Sequence, residues 1–368
     1  MERVEKQRGD MFLVMLLVVI LGVGLALLFS GSYSFSARTY QDPLFLLKRQ
    51  LIWAGVGAAA AFILSVTPLE VFRRWMPLIL LGTLAAVLLP FLPGLGLSIL
   101  GSQRWISAFG MSFQPSELVK VTVVLYLASY FARREDGQKT TMNALIPPFI
   151  VICLFAGIIL LQNDYSTAVF VLILGLSMMY ISRVGPLQFF LVILFTVPLG
   201  FLLLFTKEHR VARLLAFFDL SSHSAGSGYQ IVTAKGALIN GGLWGRGLGR
   251  SSAKLGPLPM SYSDFIYAVI GEETGLLGAL FVLALFGLLA WRGYRIVLHS
   301  TDAFSSYVAF GLTTAICFQA LLNMAVSVGL VPTTGVTLPF FSAGGSSLFV
   351  TLVMCGILVN LSRRVENV

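Results

Sequence analysis

The sequence predicts an all-α integral membrane protein, one polytopic domain over residues 1–368 with about ten transmembrane helices. Three observations carry this. The chain is 57% hydrophobic and only 11% charged, whereas soluble domains hold about 25% charged residues. Its mean hydropathy is +0.89. Uncharged runs near the length of a bilayer crossing, about 20 apolar residues, recur along the chain, and the polar residues concentrate between them.

The runs fall near 11–30, 51–68, 76–93, 116–132, 143–161, 165–182, 185–205, 265–290, 304–329 and 343–361. The fourth is the weakest, because Lys120 sits in its first turns. The first is too long, and lacks the small-residue cleavage pattern, to be a removed signal peptide. An even count puts both termini on one side. The basic groups at Arg3, Lys6 and Arg8, at Arg73-Arg74, Arg133-Arg134, Arg183, Arg292, Arg295 and Arg363-Arg364 then share that side, and the positive-inside rule makes it cytoplasmic. Three polar stretches face outward: 92–114, 329–347 and the large loop 206–264 between the seventh and eighth spans. That loop is too polar to cross a membrane and too glycine-rich for one long regular helix.

Several function classes drop out. Cys153, Cys317 and Cys355 lie inside apolar runs and read as small buried hydrophobes, not as a disulfide framework or metal site. The net charge of +9 has no basic, aromatic-interleaved domain to direct it at nucleic acid; anionic membrane lipids are the expected counterpart. His209, His223 and His299 have no motif placing them near a serine, which argues against a Ser-His triad.

The chain is organised around the stretch 226–278, which delivers Asp264 to the mouth of an apolar helix. Asp264 reads either as an N-cap or as a carboxylate with chemistry to do. Glu272 and Glu273 follow two turns deeper, where ionisable groups are costly and face a partner or cavity; a structural pairing with a buried arginine or with backbone is the plainer reading. Gly271, Gly275 and Gly278 form a small-residue stripe that admits a neighbouring helix. Upstream, Arg104-Trp105 precedes Gln114-Pro115-Ser116-Glu117 and Lys120. Glu117 suits a helix first turn and pairs with Lys120 at i, i+3, or both serve a cavity. The island 162–167 reads as a turn with Asp164 or Ser166 capping the next helix.

Gly245-Arg246-Gly247-Leu248-Gly249-Arg250 has no strand before it and no βαβ unit around it, so it is not a dinucleotide loop. It is either a flexible surface loop or a set of backbone N–H groups that, with Arg246, Arg250 and Lys254, suits an anion such as pyrophosphate. The proline-bounded segment 332–347, ending in Ser346-Ser347, suits a re-entrant stretch buried in protein.

Taken in order and spacing, Arg104-Trp105, Gln114-Pro115-Ser116-Glu117, Gly241-Gly242 with Gly247-Leu248-Gly249, Ser263-Asp264-Phe265-Ile266 with Gly271-Glu272-Glu273, Asn323, Pro332-Thr333-Thr334-Gly335 and Gly344-Gly345-Ser346-Ser347 resemble the SEDS family of bacterial cell-envelope proteins (FtsW, RodA, SpoVE). The resemblance covers most of the chain from about residue 100 onward. Gly335-Val336-Thr337-Leu338-Pro339 and Gly247-Leu248-Gly249-Arg250-Ser251 lean toward the division-type members. Departures are Met260-Ser261-Tyr262 where the family has a Glu-Ala/Ser-His pattern, Asn163 where Pro is usual, and Ala343 where Tyr is usual.

The resemblance implies a ten-helix polymerase of the bacterial cytoplasmic membrane that joins lipid II into glycan strands, with inversion, expelling undecaprenyl diphosphate. It makes Asp264 the catalytic base. Arg104, Glu117, Lys120, Arg210, Arg213, Lys235, Arg246, Arg250 and Lys254 become candidates for the substrate or its diphosphate, and Asp164, Glu272, Glu273, Ser346 and Ser347 structural polar groups. It also implies a class B penicillin-binding protein as partner. A divalent cation, Mg or Mn, is compatible with a diphosphate leaving group, but no ligand cluster in the sequence predicts one. A lipid flippase and a non-catalytic scaffold are the alternatives; the polar residues crowd one face rather than the midplane, and no inverted repeat is visible.

Overall fold

A computed structural model describes residues 10–99, 102–108, 110–134, 144–182, 184–218, 226–255 and 258–365. The N-terminal basic group Arg3, Lys6 and Arg8, together with Arg183 and His223, lies outside the described residues. Among the described residues, thirteen α-helices run in the order α1 (Met11–Tyr40), α2 (Phe45–Val66), α3 (Leu69–Arg74), α4 (Met76–Leu88), α5 (Ser116–Ala132), α6 (Ile146–Leu161), α7 (Tyr165–Ile181), α8 (Pro186–Leu204), α9 (Glu208–Phe218), α10 (Ser227–Gly241), α11 (Ile266–His299), α12 (Ala303–Ser327) and α13 (Gly345–Ser362). Among the described residues, α1, α2, α8, α11, α12 and α13 are long and apolar enough to cross a membrane, and 76–91, α6 and α7 are shorter apolar helices.

The core sits on α12 and α13, whose most apolar windows are 67% and 83% buried, whereas that of α8 is 6% buried and turns its side chains outward. In α13 the small residues Gly345 and Gly356 let the side chain of Trp53 and the backbone at Ala61, both on α2, come within contact distance. The two helices pack along their whole length.

Caps start several helices. Asp10 accepts from the Leu13 N–H at 3.0 Å, Asp164 from the Thr167 N–H at 3.2 Å and Asp302 from the Ser305 N–H at 3.0 Å. Each satisfies a first-turn donor that lipid would leave bare. Asp10 also pairs with Arg292 at 2.7 Å and its N–H donates to Ser362 at 3.3 Å. The start of α1 and the ends of α11 and α13 therefore meet at one end of the bundle.

The opposite end carries the irregular structure. The stretch between α4 and α5 is not a plain loop. It folds as a three-stranded antiparallel sheet, β1 (Gly96–Ile99), β2 (Ser102–Ala108) and β3 (Met111–Phe113) in that order, so the all-α expectation needs this small addition. Among its described residues the 206–264 stretch contains two α-helices and a 3-10 turn at Ala253–Leu255. α9 and α10 are each short, which meets the limit its glycines set on a long one. Asn163 adopts φ +62°, a left-handed geometry that asparagine tolerates and that proline, locked near −65°, cannot. The departure from the family's usual proline is thus one of backbone path.

Candidate active site

Asp264 closes a turn in which its N–H and that of Ser263 both donate to the Met260 carbonyl, at 3.1 and 3.0 Å. The cap reading fails here. Phe265, not Asp264, holds the N-cap position of α11, and no side chain caps it. The Asp264 carboxylate instead receives the Ser263 hydroxyl at Oδ1 (2.9 Å), while Oδ2 faces Gly335, where an added Cβ would stand 3.5 Å away. Burial pushes its pKa above the ordinary carboxylate value, and nearby Asp164 adds to the rise. The Ser263 bond and the guanidiniums of Arg104 and Arg213 pull the other way without cancelling it.

The segment 331–344 lies across this turn. The Ser342 hydroxyl donates to the Ser263 carbonyl at 2.5 Å and accepts from the Leu338 N–H at 2.8 Å; the Ala343 N–H donates to the Tyr262 carbonyl at 2.9 Å. Asn323 of α12 donates through Nδ2 to the Asp264 and Val336 carbonyls at 2.8 and 2.7 Å.

Beside the turn, Arg104 on β2 lies 3.3 Å from Asp164, whose Oδ2 also accepts from Gln114 at 2.9 Å. Asp164 thus caps α7 and anchors the sheet's arginine at once. Arg210 bonds the Leu203 carbonyl and the Thr206 hydroxyl at 3.0 and 3.1 Å and lies over the Tyr165 ring at 5.2 Å. It anchors α9 to the end of α8, and Arg213 remains exposed on α9. Of the candidate cations, Arg104 and Arg213 are the two whose charges act on Asp264.

Glu117 and Lys120 form a buried pair at 2.9 Å, and Lys120 also donates to Gln319 at 2.7 Å. Gln319 in turn donates to the Thr337 carbonyl and the Ser347 hydroxyl at 3.0 and 3.2 Å. Lys120 is 2% exposed and its three N–H donors are engaged or face the Phe170 ring. The pair supports the 331–344 segment from below. Ser347 belongs to this network, and Ser346 is buried beside it in the first turn of α13.

A second polar cluster lies about two turns along α11. Glu272 accepts from the Ser251 and Ser252 hydroxyls at 2.5 and 2.6 Å and from the Ala253 and Ser252 N–H groups at 3.1 and 3.2 Å. Glu273 pairs with Lys254 at 2.6 Å and accepts from Ser30 of α1 at 2.5 Å. The backbone pairing expected here is found at Glu272, whereas the buried partner of Glu273 is a lysine rather than an arginine. Lys254, a diphosphate candidate from the sequence, is 6% exposed and committed to Glu273 and to the Ser30 carbonyl.

The glycine loop has also found a different use. Gly271 admits α10 as expected, since a Cβ there would strike Leu238, while Gly275 breaks α11 with φ +70° and makes that position of the stripe a kink. The N–H groups of Arg246 and Gly247 donate to the Glu272 and Glu273 carbonyls at 3.0 Å each, and the Leu276 N–H donates to the Gly242 carbonyl at 2.9 Å. The loop supplies the partners that the broken helix lost, so those N–H groups are spent on α11. Arg246 and Arg250 stay exposed there, Arg246 3.7 Å from Glu272. Lys235 of α10 lies half-buried over Gly329. Among the described residues no three of His, Cys, Asp and Glu gather as a metal-ligand set.

Sequence reasoning gave no role to Gln114, Ser263, Gln319, Asn323 or Ser342. Gln319 and Asn323 carried a signal, being amides inside an apolar run, where a polar group needs a partner.

A bundle of apolar helices with an acid–base cluster at one end defines a membrane-embedded protein with its chemistry at a single face. The family model for the cell cycle proteins FtsW, RodA and SpoVE matches residues 10–367, and the chain belongs to that family. It is 36% identical to the probable peptidoglycan glycosyltransferase FtsW of Geobacter sp. (strain M18) over all of both chains. It is 33% identical to the stage V sporulation protein E of Bacillus subtilis (strain 168) over 98% of each. Among solved structures, it is similar to a chain of a peptidoglycan synthase complex described as coordinating polymerization and crosslinking (TM-score 0.78, 25% identity, 96% of this chain and 98% of that one). It is also similar to RodA of Thermus thermophilus in a form with one aspartate replaced by alanine (TM-score 0.69, 26% identity, 98% and 99%).

Proposed function

We propose that the chain is a peptidoglycan glycosyltransferase that polymerises lipid II in the bacterial cytoplasmic membrane, with Asp264 as its general base. The observation that carries the base assignment is the state of Asp264: it caps nothing, its burial favours the proton, and two arginines stand by it. α1, α2, α4 to α8 and α11 to α13 make ten crossings. Both termini lie in the cytoplasm, because Arg73, Arg74, Arg133, Arg134, Arg292, Arg295, Arg363 and Arg364 fall at the Asp10 end. Asp264 then faces outward, where the lipid-linked disaccharide is presented.

In the reaction, the acceptor sugar's 4-hydroxyl oxygen attacks the donor's anomeric carbon while Asp264 Oδ2 takes the hydroxyl proton. The bond from that carbon to the diphosphate oxygen breaks, inverting the centre. Undecaprenyl diphosphate leaves with the electron pair, and Arg104 and Arg213 stabilise its charge. Among the described residues no cluster of His, Cys, Asp and Glu forms an all-protein metal site. A bitopic class B penicillin-binding protein is the partner, in keeping with the similarity to a synthase complex. The flippase reading needs polar residues lining an open path, yet Glu117, Lys120, Glu272, Glu273 and Lys254 are closed on one another in buried pairs and networks.

The test is polymerisation of purified lipid II by the full chain with its partner, wild type against Asp264→Ala, each checked for folding by thermal midpoint. Loss of at least about 10²-fold in rate with a retained midpoint is expected. A folded variant that polymerises normally would sink the base assignment. Because the Asp264 pKa is raised, wild-type activity should fall away on the acid side at a pH above the ordinary aspartate range near 4.

A further inference from the structure

We infer that Asn323 is a positioning residue for the polymerase reaction: by holding the Asp264 and Val336 carbonyls together, it fixes where the Asp264 carboxylate sits. The inference rests on the reading of Asp264 as the base.

Asn323 is fully buried in α12. Its two Nδ2 hydrogens go to carbonyls of two different segments, Asp264 at 2.8 Å and Val336 at 2.7 Å. The amide orientation is fixed, since carbonyl oxygens can only accept. Ser342 does the same for the preceding peptide, donating to the Ser263 carbonyl at 2.5 Å. The Ser342 carbonyl is in turn held by Gln50 of α2 at 3.0 Å. Two successive carbonyls of the turn are therefore clamped from α12 and from the 331–344 segment. The side chain keeps only its own torsions, which Ser263 at Oδ1 and Gly335 beside Oδ2 narrow further.

The clamp has a cost: among the described residues Asn323 Oδ1 is buried without a hydrogen-bond partner, set against the two carbonyls its amide satisfies. The return is geometric. A base misplaced by about 1 Å costs on the order of 10²-fold in rate. The Ala343 N–H to the Tyr262 carbonyl is a further hydrogen bond fastening the turn to the segment.

The groups facing Asp264 are Arg104 from β2, Arg213 from α9, Asp164 ahead of α7, and Ser263 and Tyr262 within its own turn. The Asn323 side chain bonds the Asp264 and Val336 carbonyls and none of these side chains directly. Asn323→Ala should therefore act on Asp264 through position and solvation alone. A loosened turn admits water, and the burial that raises the Asp264 pKa weakens.

The experiment uses the full-length protein with its transpeptidase partner and lipid II as substrate. It compares wild type, Asn323→Ala, Ser342→Ala and Asp264→Ala. For Asn323→Ala we expect kcat lower by roughly 10- to 100-fold, KM within about twofold of wild type, and the acid limb of the pH–rate profile displaced to lower pH. Ser342→Ala, which removes one clamp and leaves the other, should move the same way by less. It also serves as the readout if Asn323→Ala does not purify folded. An unchanged kcat and an unmoved acid limb in a folded variant, with Asp264→Ala inactive, would overturn the positioning role and leave the base standing. Activity retained in Asp264→Ala would remove both.

Discussion

The molecule treats its outward carboxylates in two opposite ways. Glu272 and Glu273 receive a donor at every oxygen, from Ser251, Ser252, Ala253, Lys254 and Ser30. Asp264, eight residues upstream in the same stretch, is given one hydroxyl and otherwise left facing a glycine. A carboxylate with a donor at every oxygen is committed to structure. One that is half satisfied and desolvated takes up a proton readily. The backbone follows the same division: the glycine loop repairs the kink beneath Glu272 and Glu273, while the Asp264 turn is held by groups that avoid its carboxylate.

The sharpest way to break this contrast is at Glu273. Glu273→Ala strands Lys254 as an unpaired buried cation, which should cost about 3–5 kcal/mol. A variant that also carries Lys254→Met should recover much of that loss. The check is the thermal midpoint in detergent of the two single variants and the double. A Glu273→Ala protein as stable as wild type would mean that the cluster is not structural. The double variant should still polymerise lipid II, because neither side chain is required at Asp264.

The glycine loop gives the next effect. Gly245 has φ +80°, and a Cβ there would collide with the Glu273 carbonyl. Gly245→Ala therefore meets both a left-handed backbone and a backbone obstacle, a penalty of about 2 kcal/mol or more. Faster amide exchange at Arg246 and Gly247 would show the loop lifting from α11. Unchanged protection would mean that the loop is not what closes the kink.

How legible this was in the sequence depended on the range of each interaction. Apolar runs, caps at Asp164 and the i, i+3 pair of Glu117 with Lys120 are local, and the chain declares them. Lys254 was misjudged because its partner, Glu273, is brought near by a loop that folds back on itself. The loop's N–H groups resembled an anion nest because nothing local reveals that Gly275 breaks α11 and leaves carbonyls in need of donors. The clamp on Asp264 spans 59 residues to Asn323, and in the sheet between α4 and α5 the longest strand, β2, does not alternate polar with apolar residues, while β1 and β3 have four and three residues. The family resemblance points to Asp264; only the fold shows that it does not cap α11.

The smallest expected effect tests the idle carboxylate directly. Burial raises the Asp264 pKa, so the folded state binds this proton more tightly than the unfolded chain does. Ionised Asp264 therefore costs stability, and that cost appears as pH rises past the ordinary aspartate value near 4 and through the higher folded value. Asp264→Asn removes the charge while keeping the shape. At pH 8 it should melt slightly higher than wild type, by on the order of 1–3 °C, and at pH 4 the two should converge. Glu272→Gln should do the reverse, since it trades a carboxylate with four donors for an amide that cannot accept them all. Equal and opposite shifts at the two sites would confirm that one carboxylate is held for stability and the other for reaction; a destabilised Asp264→Asn would place Asp264 among the structural groups after all.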